Sequence, residues 1–180
     1  TATRKKIDGW LNELGWNTDE DNIYCNVFTE RAKTEEQNKK FRGNQPDYVL
    51  YKSETDEPIA IIEAKRKGQS IDEALKQGIE KYAIPLNVKI VFAIDGAFLK
   101  SIDLRNNTEL SIDNELLREL VSEEKLLRFF KEGSNISEVT KEVKYTREEL
   151  IKIFKWADDL LRGEGIQKGI AKDIGLSPES

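Results

Sequence analysis

QPDYVLYKSETDEPIAIIEAKRKGQSIDEALKQ, residues 45–77, holds two short apolar runs, each tied to an acid. Pro46-Asp47 opens Tyr48-Val49-Leu50-Tyr51, and Pro58-Ile59-Ala60-Ile61-Ile62 ends in Glu63-Ala64-Lys65. Both runs have the length and β-branched or aromatic content of strands, and proline suits the first residue of a strand. We expect strands over 47–51 and 58–65, joined by the acidic turn Lys52 to Glu57. Alternation then sends Glu63 and Lys65 to one face and Ala64 to the other. Pairing of the strands brings Asp47 beside Glu63, so two carboxylates share a site with one ammonium. Carboxylate oxygens are hard ligands suited to Mg²⁺. Glu-x-Lys spacing alone carries little weight, since it also occurs at Glu123/Lys125 and Glu142/Lys144. Among the three, Glu63/Lys65 alone closes an apolar strand after a Pro-Asp start.

Outward from this stretch, Ser70-Ile71-Asp72-Glu73 has the form of a capping box. It predicts a helix from Ser70 to about Ala83 that buries Ile71, Ala74, Leu75 and Ile79 and is ended by Pro85. Val88 to Ile94 and Phe98 to Leu104 read as strands around the Asp95-Gly96 turn. On the N-terminal side, residues 3–14 form an amphipathic helix through Ile7, Trp10, Leu11 and Leu14, stopped by Gly15, with Trp16 in the core. Ile23 to Phe28 is a first strand. Thr34 to Asn44 is polar and carries Lys39, Lys40 and Arg42. It is either a solvated loop or a basic loop that touches DNA phosphate beside the acids. The order is α-β-β-β-α-β-β, an α/β fold with a mixed sheet flanked by helices over residues 1–105. After residue 105 the pattern becomes helical. Asn114 to Glu132 is one predicted helix, Gly133 to Lys144 a polar connection, and Thr146-Arg147-Glu148-Glu149 caps a helix to about Arg162. Residues 106–180 thus form a helical extension or linker toward a further domain.

Composition excludes several function classes. The chain has 180 residues with 29 basic and 34 acidic side chains, a net charge of −5. That argues against a stand-alone DNA binder with a large basic surface, but not against a nuclease module whose DNA is delivered by a neighbouring domain. With no histidine, there is no His-based metal site and no Ser-His-Asp triad. The one cysteine, Cys25, rules out an intrachain disulfide, fits a cytoplasmic setting and is expected to be a small buried residue. No apolar run approaches a membrane span, and no Gly-rich phosphate loop points to an ATP site. The absence of methionine suits a fragment or processed chain.

The text resembles the N-terminal nuclease domain of type I restriction-enzyme R subunits, a branch of the PD-(D/E)xK nucleases. The matching pieces are Thr3-Arg4-Lys5-Lys6-Ile7-Asp8, Leu14-Gly15-Trp16, Gln45 to Tyr51, Ile59 to Arg66, and Gln77 with Tyr82-Ala83. The resemblance spans roughly residues 3–105. It implies a restriction-endonuclease-like core and Mg²⁺-dependent hydrolysis of DNA phosphodiesters, with Mn²⁺ as a substitute ion. Asp47, Glu63, Lys65 and Gln77 take the catalytic positions, with Asp47, Glu63 and the Ala64 carbonyl as metal ligands. Lys65 would orient the nucleophile or stabilise charge, and Gln77 would hydrogen-bond the lysine, water or phosphate. Lys39, Lys40, Arg42, Arg66 and Lys67 are candidates for DNA backbone contacts. Implied partners are double-stranded DNA and motor, specificity or methyltransferase domains or subunits. Glu149 to Gly165 faintly resembles the opening helix of the adenine methyltransferase helical domain. Two departures stand out. The family spaces its glutamine and tyrosine by four, whereas Gln77 and Tyr82 are five apart, which would turn Tyr82 about 100° away on an α-helix. The family's helix-one glutamate is absent, with Ala2 before Thr3-Arg4. A repair or resolvase-like nuclease of the same fold, or a decayed DNA-positioning or docking module, are the alternatives.

Overall fold

The structure, a computed structural model, describes residues 2–138 and 145–163. Five strands form the main sheet: β1 (Val27–Thr29), β2 (Tyr48–Tyr51), β3 (Pro58–Ala64), β4 (Ile90–Ile94) and β5 (Leu99–Asp103), in that spatial order. β3 and β4 run parallel and the other neighbours antiparallel, so the sheet is mixed as expected. A parallel pair needs a crossover, and the helical stretch after Ser70 supplies it. Both faces are covered, which is why β3 and β4 read as near-continuous apolar runs. On one face Tyr48, Leu50, Ile62 and Phe92 pack with Ile7 and Leu11 of α1 (Ala2–Glu13). On the other, Val49, Ile61, Val91 and Ala93 pack with Ala74 and Leu75 of α3 (Ile71–Gly78). Each fully buried Leu, Ile or Phe side chain contributes roughly 1.5–3 kcal/mol. Cys25 is buried as expected, its thiol donating to the Val27 carbonyl (3.2 Å).

Four local expectations change. The strand expected over 23–28 shrinks to β1, with Ile23 85% and Tyr24 58% exposed. Asn17, Asp19 and Asn22 side chains accept from the N–H groups of Asp19, Asp21 and Tyr24, and such local bonds compete with a ladder. The polar 34–44 segment holds a short helix, α2 (Glu35–Lys39), capped by Thr34; a helix with no apolar stripe gives no periodic signal. Pro85 does not end the third helix. After Gly78 the chain makes a π-helical turn (Ile79–Ala83) and one more helical turn, α4 (Ile84–Leu86), which holds Pro85. Asn87, left-handed at φ 57°, closes it.

The single helix expected over 114–132 is a hairpin followed by a shorter helix. β6 (Ser111–Ile112) and β7 (Glu115–Leu116) are joined by Asp113 and Asn114, both at positive φ, the mirror-image turn that fits strand twist. Ser122 then caps α5 (Glu123–Glu132), and β8 (Asn135–Ile136), within the expected polar connection, pairs with β6. Leu110, Leu117, Leu126, Phe129 and Ile136 join the core that includes Ile7. The Trp16 indole N–H donates to the Val121 carbonyl (2.9 Å). A domain boundary was expected at residue 105; Thr1–Glu138 forms one compact unit, and Val139–Ser180 a second. In the second, α6 (Arg147–Leu161) carries the expected capping box between Thr146 and Glu149. The rest of the expected extension, 139–144 and 164–180, lies outside the described residues.

Candidate active site

Asp47 immediately precedes β2, and Glu63 is the penultimate residue of β3. Tyr48 pairs with Ile62, which sets Asp47 against Glu63. Asp47 is 4% and Glu63 2% exposed. The Asp47 N–H donates to Glu63 Oε1 (3.0 Å), and the Ala64 N–H donates to Asp47 Oδ2 (2.8 Å). Burial first, and the Asp47 charge second, push the Glu63 carboxyl up to about 8. Two buried carboxylates this close require a proton or a cation between them. Lys65 follows β3, half-buried, its N–H fixed to the Ile94 carbonyl (2.7 Å). Asp47, Ala64 and Lys65 line one cleft of about 660 Å³ with Thr3, Arg4, Glu30, Arg66, Lys67 and Asp95.

The remaining candidates divide. Arg66 and Lys67 stand exposed at this cleft, whereas Lys40 and Arg42 line a different one with Phe41, Glu80, Lys81 and Ile84. Lys39 is exposed at the end of α2. Gln77 lies on α3, half-buried, and accepts from the Gln69 amide (3.3 Å).

Tyr82 corrects the reading of its spacing. The π turn closes with the Ile84 N–H bonded to the Ile79 carbonyl, an i→i+5 bond. This wider turn absorbs the extra residue and brings Tyr82 back over Gln77. The Tyr82 hydroxyl is pushed up to about 12 by burial and then by the Glu63 charge, against a hydrogen bond from Gln77. It donates to the Gln45 carbonyl (2.8 Å), two residues before Asp47, and its ring meets Phe41 edge-on at 5.1 Å. Gly78 makes the close approach possible: a Cβ there would lie 2.9 Å from Val91 Cγ1 and 3.0 Å from Glu63 Cγ. Glycine in a helix usually costs stability, and here it lets α3 press on the acid.

Arg4 is a further residue of the site that the sequence reading quoted only as part of a motif. Its guanidinium pairs with Asp47 through one nitrogen and with Glu30 Oε1 through the other (2.7 Å). Burial works against the charge, but Asp47 and Glu30 outweigh it and raise the Arg4 pKa. Tyr48 anchors the same helix, donating to Asp8 Oδ1 (2.7 Å). Contacts between residues this far apart in sequence leave no spacing signal, which is why α1 was read as packing alone.

The donor set suits a hard divalent ion. Asp47 and Glu63 bring two carboxylates side by side, one held by the Asp47 N–H and the other by the Ala64 N–H. Among the described residues, no group of three or more His, Cys, Asp or Glu side chains is arranged around one metal position, so an ion here would complete its shell with backbone, water or substrate oxygens.

Residues 28–109 match the family model described as the type I restriction enzyme R protein N terminus. No curated protein matches the chain significantly. A fragment structure from Vibrio vulnificus YJ016, of a protein assigned as the HsdR subunit of a type I restriction enzyme, is similar with a TM-score of 0.51 at 18% identity. The similarity covers 84% of this chain and 27% of that one, and at this identity it is a likeness of fold. Strands β2 to β5 and the buried Asp47–Glu63 pair lie inside the matched segment, so residues 28–109 are similar to the N-terminal family of type I restriction enzyme R proteins.

Proposed function

We propose that this chain is the nuclease domain of a restriction system and hydrolyses DNA phosphodiester bonds with Mg²⁺. The observation that carries the reading is the buried Asp47–Glu63 pair, joined through the Asp47 N–H, with Asp47 lining a cleft shared with Lys65. Mg²⁺ held by Asp47, Glu63 and the Ala64 carbonyl would activate water and draw charge from the phosphate. Asp47 is oriented for this by the Ala64 N–H, and Glu63 by the Asp47 N–H. Lys65, fixed at its backbone beside the carboxylates, would hold the nucleophile or the developing charge. Gln77 and Tyr82 position the segment that ends in Asp47, Tyr82 through the Gln45 carbonyl. Arg66 and Lys67 would contact the DNA backbone at the cleft, and Lys39, Lys40 and Arg42 at a second point. Motor and specificity functions belong to other domains or subunits, in a cytoplasmic enzyme. No described helix is long and apolar enough to cross a membrane.

Calorimetric titration of Mn²⁺ into this chain and into Asp47→Ala, alone and with a short duplex, tests the site. Binding that disappears in the variant is expected; equal binding in both removes Asp47 as a ligand. In the full enzyme, Asp47→Ala, Glu63→Ala and Lys65→Ala should each lower cleavage by at least about a hundredfold with folding intact. Retained cleavage removes that residue from the mechanism.

A further inference from the structure

One cation already sits at the carboxylates. Arg4 reaches Asp47 from α1 and is tied by its other nitrogen to Glu30. Glu30 follows β1 with φ at 61°, the left-handed region that side chains rarely occupy. In that conformation its N–H reaches the Asp47 carbonyl (3.3 Å), so the two acids that hold Arg4 are joined through backbone. Arg4's side chain is 27% exposed. It lines the cleft with Lys65, Arg66 and Lys67, four cations against Glu30, Asp47 and Asp95, in a chain whose net charge is negative. The cleft lining thus carries one more cation than acids, whereas the whole chain carries five more acids than cations.

We propose that Arg4 is a phosphate-contacting residue of this site, parked on Asp47 until a divalent ion takes that carboxylate. The inference rests on the nuclease reading above. A guanidinium and a divalent ion repel each other at contact distance, so both cannot hold the same Asp47 oxygen. Ion entry moves Arg4 off Asp47, while Glu30 keeps it at the cleft. The guanidinium nitrogen that leaves Asp47 then offers its N–H donors to phosphate oxygens at the cleft, while the other stays on Glu30. Phosphate drawing Arg4 away opens Asp47 to the ion, and the ion opens Arg4 to phosphate. Linkage makes the two binding events mutually strengthening.

The test uses Arg4→Met, which keeps the stem that packs α1, and Arg4→Lys, which keeps the charge but not a guanidinium able to hold Glu30 and phosphate through different nitrogens. Mn²⁺ affinity is measured by calorimetry without DNA, and affinity for a short duplex by fluorescence anisotropy in Ca²⁺. Arg4→Met is expected to bind Mn²⁺ about tenfold more tightly. Its duplex affinity should fall about tenfold, with a salt slope shallower by about one. Arg4→Lys should keep near-native Mn²⁺ affinity and still weaken on the duplex. Unchanged or weaker Mn²⁺ binding in Arg4→Met overturns the parking, and unchanged duplex affinity overturns the phosphate contact. A role confined to holding α1 would weaken both without tightening the metal. If the native chain binds Mn²⁺ through Asp47 and Arg4→Met changes nothing, this inference alone fails. If the native chain binds none, even with duplex, the nuclease reading fails with it.

Discussion

At the residue scale, Glu63 carries an electrostatic load that pH can read. Its carboxyl in the folded, metal-free protein titrates near 8, against an ordinary value of 4.5. Between those values the folded state binds a proton that the unfolded chain has released. Stability therefore falls as pH rises through that window. Thermal melts in chelator should show a decline in melting temperature from about pH 5 to pH 8, and Glu63→Gln should flatten it. An equally steep decline in the variant would assign the effect elsewhere. The pair itself was legible in the sequence because Pro-Asp and Glu-x-Lys mark the ends of two strands that pair antiparallel. Arg4 and Glu30 were not, because their link to Asp47 crosses 43 and 17 residues of chain and depends on where α1 and the end of β1 come to rest.

At the scale of elements, the π turn is an insertion accommodated in place. The extra residue between Gln77 and Tyr82 would swing the tyrosine off its face in a regular α-helix, but an i→i+5 turn takes up the slack locally. Deleting exposed Glu80 should restore a regular helix, keep Tyr82 on Gln45 and move the melting temperature by only a few degrees. Inserting an alanine after Glu80 makes the spacing six, which one π turn does not absorb. Loss of the Tyr82 hydrogen bond and its contact with Phe41 should then lower the melting temperature by about 10 °C. A larger drop for the deletion than for the insertion would refute the account. The strands that build the site, and the capping box at Ser70, were plain from period and end signals. The pieces misread were those where a local device overrides period: the Asx turns before β1, the Asp113-Asn114 hairpin taken for helix, and the π turn itself.

At the scale of the molecule, composition drew the line between core and extension too early, because α5 is helical and amphipathic like a linker helix yet packs with α1 on the sheet. A chain ending at residue 105 loses Leu110, Leu117, Leu120, Leu126, Phe129 and Ile136 from that core. We expect it to bind a dye for exposed apolar surface and to melt without a cooperative transition. A chain ending at residue 138 should melt as one unit; cooperative melting of the shorter chain would separate the extension from the fold. The indole bond of Trp16 to Val121 joins the end of α1 to the segment before α5, and so bears on the same question in optical terms. Trp16 is 3% exposed with its N–H occupied, while Trp156 on α6 is 41% exposed. Their emission should differ in colour and in access to a dissolved quencher, so with partly buried Trp10 replaced by phenylalanine the bluer, shielded light reports whether the two ends of the 1–138 unit are still joined.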